Sequence, residues 1–198
     1  MFAKIAWLAL AYLAGSFPFG LFIAQAARGI DPRTAGSRNI GATNVSRLCG
    51  TKLGVLTLVL DALKGLIPVA VAWQMSCEGF YPSLVALAAV AGHIFPVFLR
   101  YKGGKGVATT IGAFLALSAP ATLVSVGLCV AAIAISGFVS LGSLLLAVSL
   151  PFTVWWFGPG SVVPVAFVIA GLVVWKHREN IERLRQGTEK PWKKKKDD

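Results

Sequence analysis

Residues 107–175 read VATTIGAFLALSAPATLVSVGLCVAAIAISGFVSLGSLLLAVSLPFTVWWFGPGSVVPVAFVIAGLVVW, 69 positions without one Asp, Glu, Lys, Arg or His. A lipid span takes about 20 apolar residues, fewer where the bilayer thins, so this run holds more than one. It is punctuated at Ala119-Pro120, Ser136-Gly137, Gly142 and Gly158-Pro159-Gly160. Four short helices, 106–118, 121–137, 141–157 and 161–176, fit those breaks and bring the C-terminus inside. Two helices with a re-entrant segment satisfy the same parity. The 106–118 piece is short for a crossing.

Working toward the N-terminus, a span from about Phe2 to Ala27 is interrupted by Gly15, Pro18 and Gly20, which kink or unwind a helix. It lacks a convincing cleavage site and reads as a first membrane helix, not a signal peptide. Two more spans cover about 53–73 and 84–99, joined by a Ser76 to Pro82 turn that carries Glu78 and no Lys or Arg. The chain is therefore read as one all-α integral membrane domain over residues 1–198. We expect about seven transmembrane helices, with the N-terminus outside and the C-terminus cytoplasmic.

Composition agrees: 56% of residues are hydrophobic, 14% are charged and the mean hydropathy is +0.73. The formal net charge of +11 would point to nucleic acid in a soluble protein. Here 17 of the 19 Lys and Arg fall in Arg28 to Lys52, Arg100 to Lys105 and Lys176 to Lys196, which places all three stretches on the cytoplasmic side. No aromatic-studded basic surface is left for nucleic acid. Cys49, Cys77 and Cys129 have neither CxxC nor metal spacing, so no disulfide framework is expected. Much of the glycine reads as close helix packing. Trp7 and Trp155-Trp156 read as outer-interface anchors, Trp73 as the end of the second span, and Trp175 and Trp192 as inner anchors.

Polar chemistry collects in the inside segments. Ser37-Arg38-Asn39-Ile40-Gly41-Ala42-Thr43-Asn44-Val45-Ser46-Arg47 offers three hydroxyls, two carboxamides (Asn39 and Asn44) and two guanidiniums. That set suits a phosphate, which accepts several hydrogen bonds and meets Arg as a planar fork. It equally suits an ordinary polar loop closed by Asx and Ser turns. Lys102-Gly103-Gly104-Lys105-Gly106 precedes a helix. Its amides, the helix dipole and Lys105 could face an anion, though the spacing is not that of a Walker loop and a flexible inside turn is the alternative. Because the second and third spans form a hairpin, this loop returns to the side of Ser37 to Arg47. Lys176 to Arg185 continues the last span as an amphipathic helix. His177 and Asn180 share a face with Ile181 and Leu184, either as a satisfied core pair or as a catalytic one. His93 and the pair Asp61 and Lys64 are ionisable groups at membrane depth, functional candidates by default. Three residues apart, Asp61 and Lys64 are expected to neutralise each other, and His93 to orient the glycine-lysine loop.

Read together, Gly15-Ser16-Phe17-Pro18-Phe19-Gly20, Gly36 to Arg47, Gly92-His93-Ile94-Phe95-Pro96, Lys102 to Thr109, His177 to Leu184 and Gly187-Thr188-Glu189 resemble the bacterial acyl-phosphate:glycerol-3-phosphate acyltransferases. The resemblance covers nearly the whole chain. It implies a phospholipid-synthesis enzyme of the bacterial cytoplasmic (inner) membrane. Such an enzyme moves a fatty acyl group from acyl phosphate to glycerol 3-phosphate, giving lysophosphatidic acid and phosphate. It further implies catalytic roles for Ser37, Arg47, His177 and Asn180, glycerol-3-phosphate binding at Gly103, Gly104, Lys105 and Gly106, and a part for Glu189 in integrity.

From the residues themselves, Asn39, Thr43 and Asn44 are added as substrate-binding candidates and His93 as a supporting one. His177 and Glu182 are five apart and lie about 140° apart around a helix, so no His-carboxylate relay is expected there. Substrate phosphate is expected to take the proton while the protein positions the reactants. No cofactor and no metal is expected, since the loops hold no carboxylate cluster. The partners are then acyl phosphate, glycerol 3-phosphate and the bilayer, with a monomer as the simplest assembly. Residues 186–198 form a basic tail with the composition of a flexible tether or an anionic-lipid contact. A transporter of an organic phosphate is the alternative. It would show inverted repeats and midplane polar groups, whereas polar groups here gather at one face.

Overall fold

The Gly and Pro breaks become helix ends. The computed structural model describes residues 1–76 and 79–192, so Cys77, Glu78 and the Lys193 to Asp198 tail lie outside the described residues. Ten α-helices follow in chain order: α1 Phe2–Ser16, α2 Phe19–Arg28, α3 Ala42–Cys49, α4 Thr51–Met75, α5 Phe80–Ile94, α6 Val107–Leu117, α7 Ala119–Ser136, α8 Val139–Phe157, α9 Val163–Lys176 and α10 Arg178–Arg185. No strand occurs among the described residues. Five segments are long and apolar enough to cross a bilayer, namely Phe2–Arg28, Thr51–Met75, Phe80–Leu99, Ala119–Ser136 and Val139–Phe157. A sixth results if the bent pair Gly160–Lys176 and Arg178–Arg185 is taken as one, and Val107–Leu117 remains shorter.

The first span breaks at Phe17-Pro18, as its sequence predicts. The carbonyl of Phe17, set free there, accepts a bond from Lys64 Nζ at 2.9 Å. Helices then approach closely through glycine. A Cβ on Gly15 would overlap the Ala89 carbonyl, and one on Gly92 the Tyr12 carbonyl, so α1 and α5 touch backbone to backbone. Gly65 and Gly112 do the same for α4 and α6, against Thr109 and Ala62. Lipid tails offer helices no hydrophobic reason to associate, so such contact supplies the attraction.

α6 is the buried centre, with Thr109, Thr110, Gly112, Ala113, Phe114 and Leu117 all enclosed. It and α7 meet at Ser118, whose hydroxyl donates to the Phe157 carbonyl at 3.1 Å. At 1.5 Å per residue the 11 residues of α6 rise about 16 Å and the 18 of α7 about 27 Å. α6 is thus about 10 Å shorter than α7.

Two expectations are corrected. The polar stretch is not all loop: α3 lies within it, with Asn44, Val45 and Cys49 buried, because Val45, Leu48 and Cys49 repeat at helical spacing. α10 does not continue α9 but bends away by 56° at His177. Trp7 and Trp73 are tied into the bundle, and Trp73 lies two residues from the end of α4, as its sequence reading has it. They are partly buried and donate across helices to the carbonyls of Pro68 (2.9 Å) and Ala116 (3.0 Å). Trp155 and Trp156, by contrast, are exposed, as an interfacial pair would be.

Candidate active site

The segment from Pro32 to Arg47 is organised by one carboxamide. Asn44, 1% exposed, donates through Nδ2 to the carbonyls of Pro32 (2.8 Å), Ala35 (3.1 Å) and Asn39 (2.9 Å) and accepts the Ser37 amide at 2.8 Å. Its polar atoms are thereby committed to the loop backbone, so Asn44 acts as scaffold and leaves ligand contact to its neighbours. Asn39 Oδ1 accepts the Gly41 amide at 2.8 Å, an Asx turn that sets up α3. The half-buried side chains of Ser37 and Thr43 make no hydrogen bond among the described residues and remain available.

The glycine loop differs from its sequence reading in which atoms it offers. Gly103 and Gly104 do not turn their amides toward an anion. They donate instead to the carbonyls of Ile94 (3.3 Å) and His93 (3.1 Å) at the end of α5. Their lack of a side chain serves close packing, since a Cβ on Gly104 would overlap the His93 ring and one on Gly103 the His93 carbonyl. Gly106, with φ of 86°, opens α6. What projects from the loop is Lys105, whose Nζ donates to Asn180 Oδ1.

That bond joins the second segment to the third. Asn180, 4% exposed, donates through Nδ2 to Glu189 Oε1 at 2.7 Å. Glu189 Oε2 accepts Arg183 Nε at 2.7 Å. A carboxylate only accepts and an ammonium only donates, so Asn180 is fixed against an amide flip. Arg47 of α3 closes the group by donating to the carbonyls of Lys190 (3.1 Å) and Pro191 (3.3 Å). The Trp192 amide donates to the Gly137 carbonyl at 2.8 Å. Residues 187–192, the start of the basic tail, are thus folded back over this end of the bundle. Arg47, Lys105, Asn180 and Glu189 form one polar cluster, as the topology predicted. Ser37 joins it only through α3.

His177 lies in the link beyond the last membrane helix, 2% exposed, with Nδ1 on the Val173 carbonyl at 2.8 Å. A carbonyl accepts only, so Nδ1 carries the proton and Nε2 is left as an acceptor. Burial and the nearby Lys105 charge push His177 down to about 4, against the pull of Val173 and Glu189. Burial and Arg183 lower Lys105 to about 8, with Glu189 and Glu179 opposing. Although burial raises the Glu189 carboxyl, its bonds to Arg183 and Asn180 win and hold it below the usual range. At neutral pH the cluster therefore holds Arg47, Lys105 and Arg183 as cations, one carboxylate and a neutral imidazole, a surplus of positive charge suited to phosphates. Glu182 bonds Gln186 at 2.6 Å and is no partner of His177.

His93 does abut the glycine loop, with Nδ1 3.7 Å from Asp61 Oδ1. Asp61 and Lys64 pair at 2.8 Å, as their spacing predicts. Arg183 is the member that residue reading missed as a site residue. The only signal was its place three residues beyond Asn180, a spacing that puts both on one side of α10.

Comparison with known proteins shows the family. The family profile described as glycerol-3-phosphate acyltransferase matches residues 5–187. A glycerol-3-phosphate acyltransferase of Solidesulfovibrio magneticus is 62% identical over 192 residues, 97% of this chain and 96% of that one. One from Maridesulfovibrio salexigens is 55% identical over 97% and 98%. Among solved structures, the glycerol 3-phosphate form of PlsY (YgiH), an integral membrane glycerol 3-phosphate acyltransferase, superposes with a TM-score of 0.92 at 39% identity. The overlap covers 96% of this chain and 95% of that one. The lysophosphatidic acid form of PlsY gives 0.89 over the same shares. The chain, an all-helical integral membrane protein, belongs to the glycerol-3-phosphate acyltransferase family.

Proposed function

We propose that the acyl donor is acyl phosphate and that the reaction takes place at the cytoplasmic face of a bacterial inner membrane. The chain would act as a monomer of seven spans, N-terminus outside. The hydroxyl oxygen of glycerol 3-phosphate attacks the acyl carbonyl, the bond from that carbon to the phosphate oxygen breaks, and inorganic phosphate leaves with the hydroxyl proton. The products are lysophosphatidic acid and phosphate. Arg47, Lys105 and the free hydroxyls of Ser37 and Thr43 hold phosphate. The Nε2 lone pair of His177 and Asn180 orient the acceptor, and Asn39 and the start of α6 at Gly106 line the approach. The donor's acyl chain lies among the helices, where each buried CH₂ contributes about 0.8 kcal/mol.

The observation that carries this reading is the meeting of Arg47, Lys105 and Asn180, from three distant stretches, at one end of an apolar bundle. Both substrates bear phosphate and one bears a lipid tail, so a site at that boundary suits both. Protein purified in detergent, given labelled glycerol 3-phosphate and either acyl phosphate or an acyl thioester, is expected to form lysophosphatidic acid with acyl phosphate alone. Turnover with the thioester alone would refute the donor assignment.

A further inference from the structure

The Asp61, Lys64 and His93 cluster takes no part in the chemistry above, yet it lies about 15 Å along α4 from Thr51, deep in apolar surroundings. Asp61 and Lys64 are 2% and 6% exposed and His93 is 4% exposed. Ionised groups at such depth are costly, and an apolar replacement of equal volume often stabilises as well. Simple packing thus leaves them unexplained.

The cluster's contacts give it another role. Lys64 ties α4 to the broken first span through the Phe17 carbonyl (2.9 Å) and to Asp61 (2.8 Å). Asp61 Oδ1 faces His93 Nδ1 at 3.7 Å, beyond hydrogen-bond reach, so the carboxylate backs that edge of the ring through its charge alone. The opposite edge of that ring, at Nε2, is pressed on Gly104 so closely that no Cβ fits between them. Gly104 is also bound through its amide to the His93 carbonyl at 3.1 Å. The next residue is Lys105. An apolar ring could fill the space, but Asp61 would give it no preferred tilt.

We infer that His93, backed by the Asp61 and Lys64 pair, is a positioning residue that fixes Lys105 through Gly104 and so sets the enzyme's grip on substrate phosphate. This deepens the proposed function and rests on its assignment of phosphate binding to Lys105. Lys105 is faced by Arg47 from α3, by His177, Asn180, Glu179 and Arg183 from the last two helices, and by Glu189. Its ammonium, at about 8, is charged below that pH and neutral above it. Phosphate affinity is therefore present at neutral pH and lost as pH rises through 8. A loop that loses its seat exposes Lys105 and returns it toward the ordinary lysine range near 10.

Steady-state kinetics with varied glycerol 3-phosphate, over pH 6 to about 10, test this on the purified chain. His93→Gln keeps a polar partner for Asp61 but removes the ring. It is expected to elute as folded protein, raise KM about tenfold with kcat little changed, and move the alkaline limb of kcat/KM upward. Gly104→Ala is expected to raise KM at least as much, or to fail to fold. A folded His93→Gln with the original KM and alkaline limb overturns the inference. Lys105→Ala separates the two levels. If it leaves KM unchanged, the assignment of Lys105 falls and the inference with it; if KM rises while His93→Gln is silent, only the inference falls.

Discussion

A histidine in an acyltransferase invites the role of general base, and the surroundings of His177 argue against it. Its Nδ1–H is spent on the Val173 carbonyl, and burial with the Lys105 charge holds it near 4. A group that weakly basic is unprotonated at pH 7 but has little appetite for an alcohol proton, since the best catalytic base has a pKa near the working pH. Nε2 is still a good acceptor for a substrate hydroxyl. On the proposed reading, His177→Gln, whose amide oxygen can accept the same bond, should raise KM for glycerol 3-phosphate while kcat stays within about tenfold. Loss of a true base costs about a hundredfold or more. A kcat collapse of that size at unchanged KM, measured with saturating acyl phosphate, would sink the positioning role.

At the level of helices, what the sequence revealed depended on whether the cause was local. The Phe17-Pro18 break, the Ser136-Gly137 turn and the Asp61 and Lys64 pair follow from residues within one turn of each other, and all stand as read. The bend at His177 does not, because residues 176–185 are a sound amphipathic helix on their own. The turn comes from the His177 amide and ring both fastening on the carbonyls of the preceding turn of α9. Gly103 and Gly104 were legible as special but not as seats for the His93 ring, a contact that exists only once α5 ends beside them. Among glycines, sequence does not separate those between helices from those facing lipid. Gly112 abuts the Ala62 carbonyl, whereas a Cβ on Gly171 meets open space. Gly112→Val should therefore force α4 and α6 apart, at about 1–3 kcal/mol, while Gly171→Ala is tolerated. Size-exclusion recovery after a heating series in detergent reports this. Equal midpoints for the two variants would show that α6 does not depend on that contact.

Over the whole molecule, the polar connections and the basic stretches gather at one end of the bundle. Contacts between Arg47 and the 190–191 backbone, Lys105 and Asn180, and Trp192 and Gly137 put four separate connections at one end of the bundle. The same end carries Arg28 to Lys52, Arg100 to Lys105 and the described part of the last basic stretch, the K/R bias on which the proposed cytoplasmic orientation rests. α6 and α7 meet at Ser118, at the other end of α6 from Lys105, where the Ser118 hydroxyl donates to the Phe157 carbonyl. The prediction concerns exposed positions. With Cys49, Cys77 and Cys129 replaced, single cysteines at Thr34, Lys102 and Glu179 should react with an impermeant maleimide only after cells are permeabilised, and one at Ser161 should react in intact cells. If position 102 alone labelled from outside, α6 could not enter from the end that holds Asn180. The reverse pattern at all four positions would keep the fold but turn it over, and would require substrates delivered from the outer face.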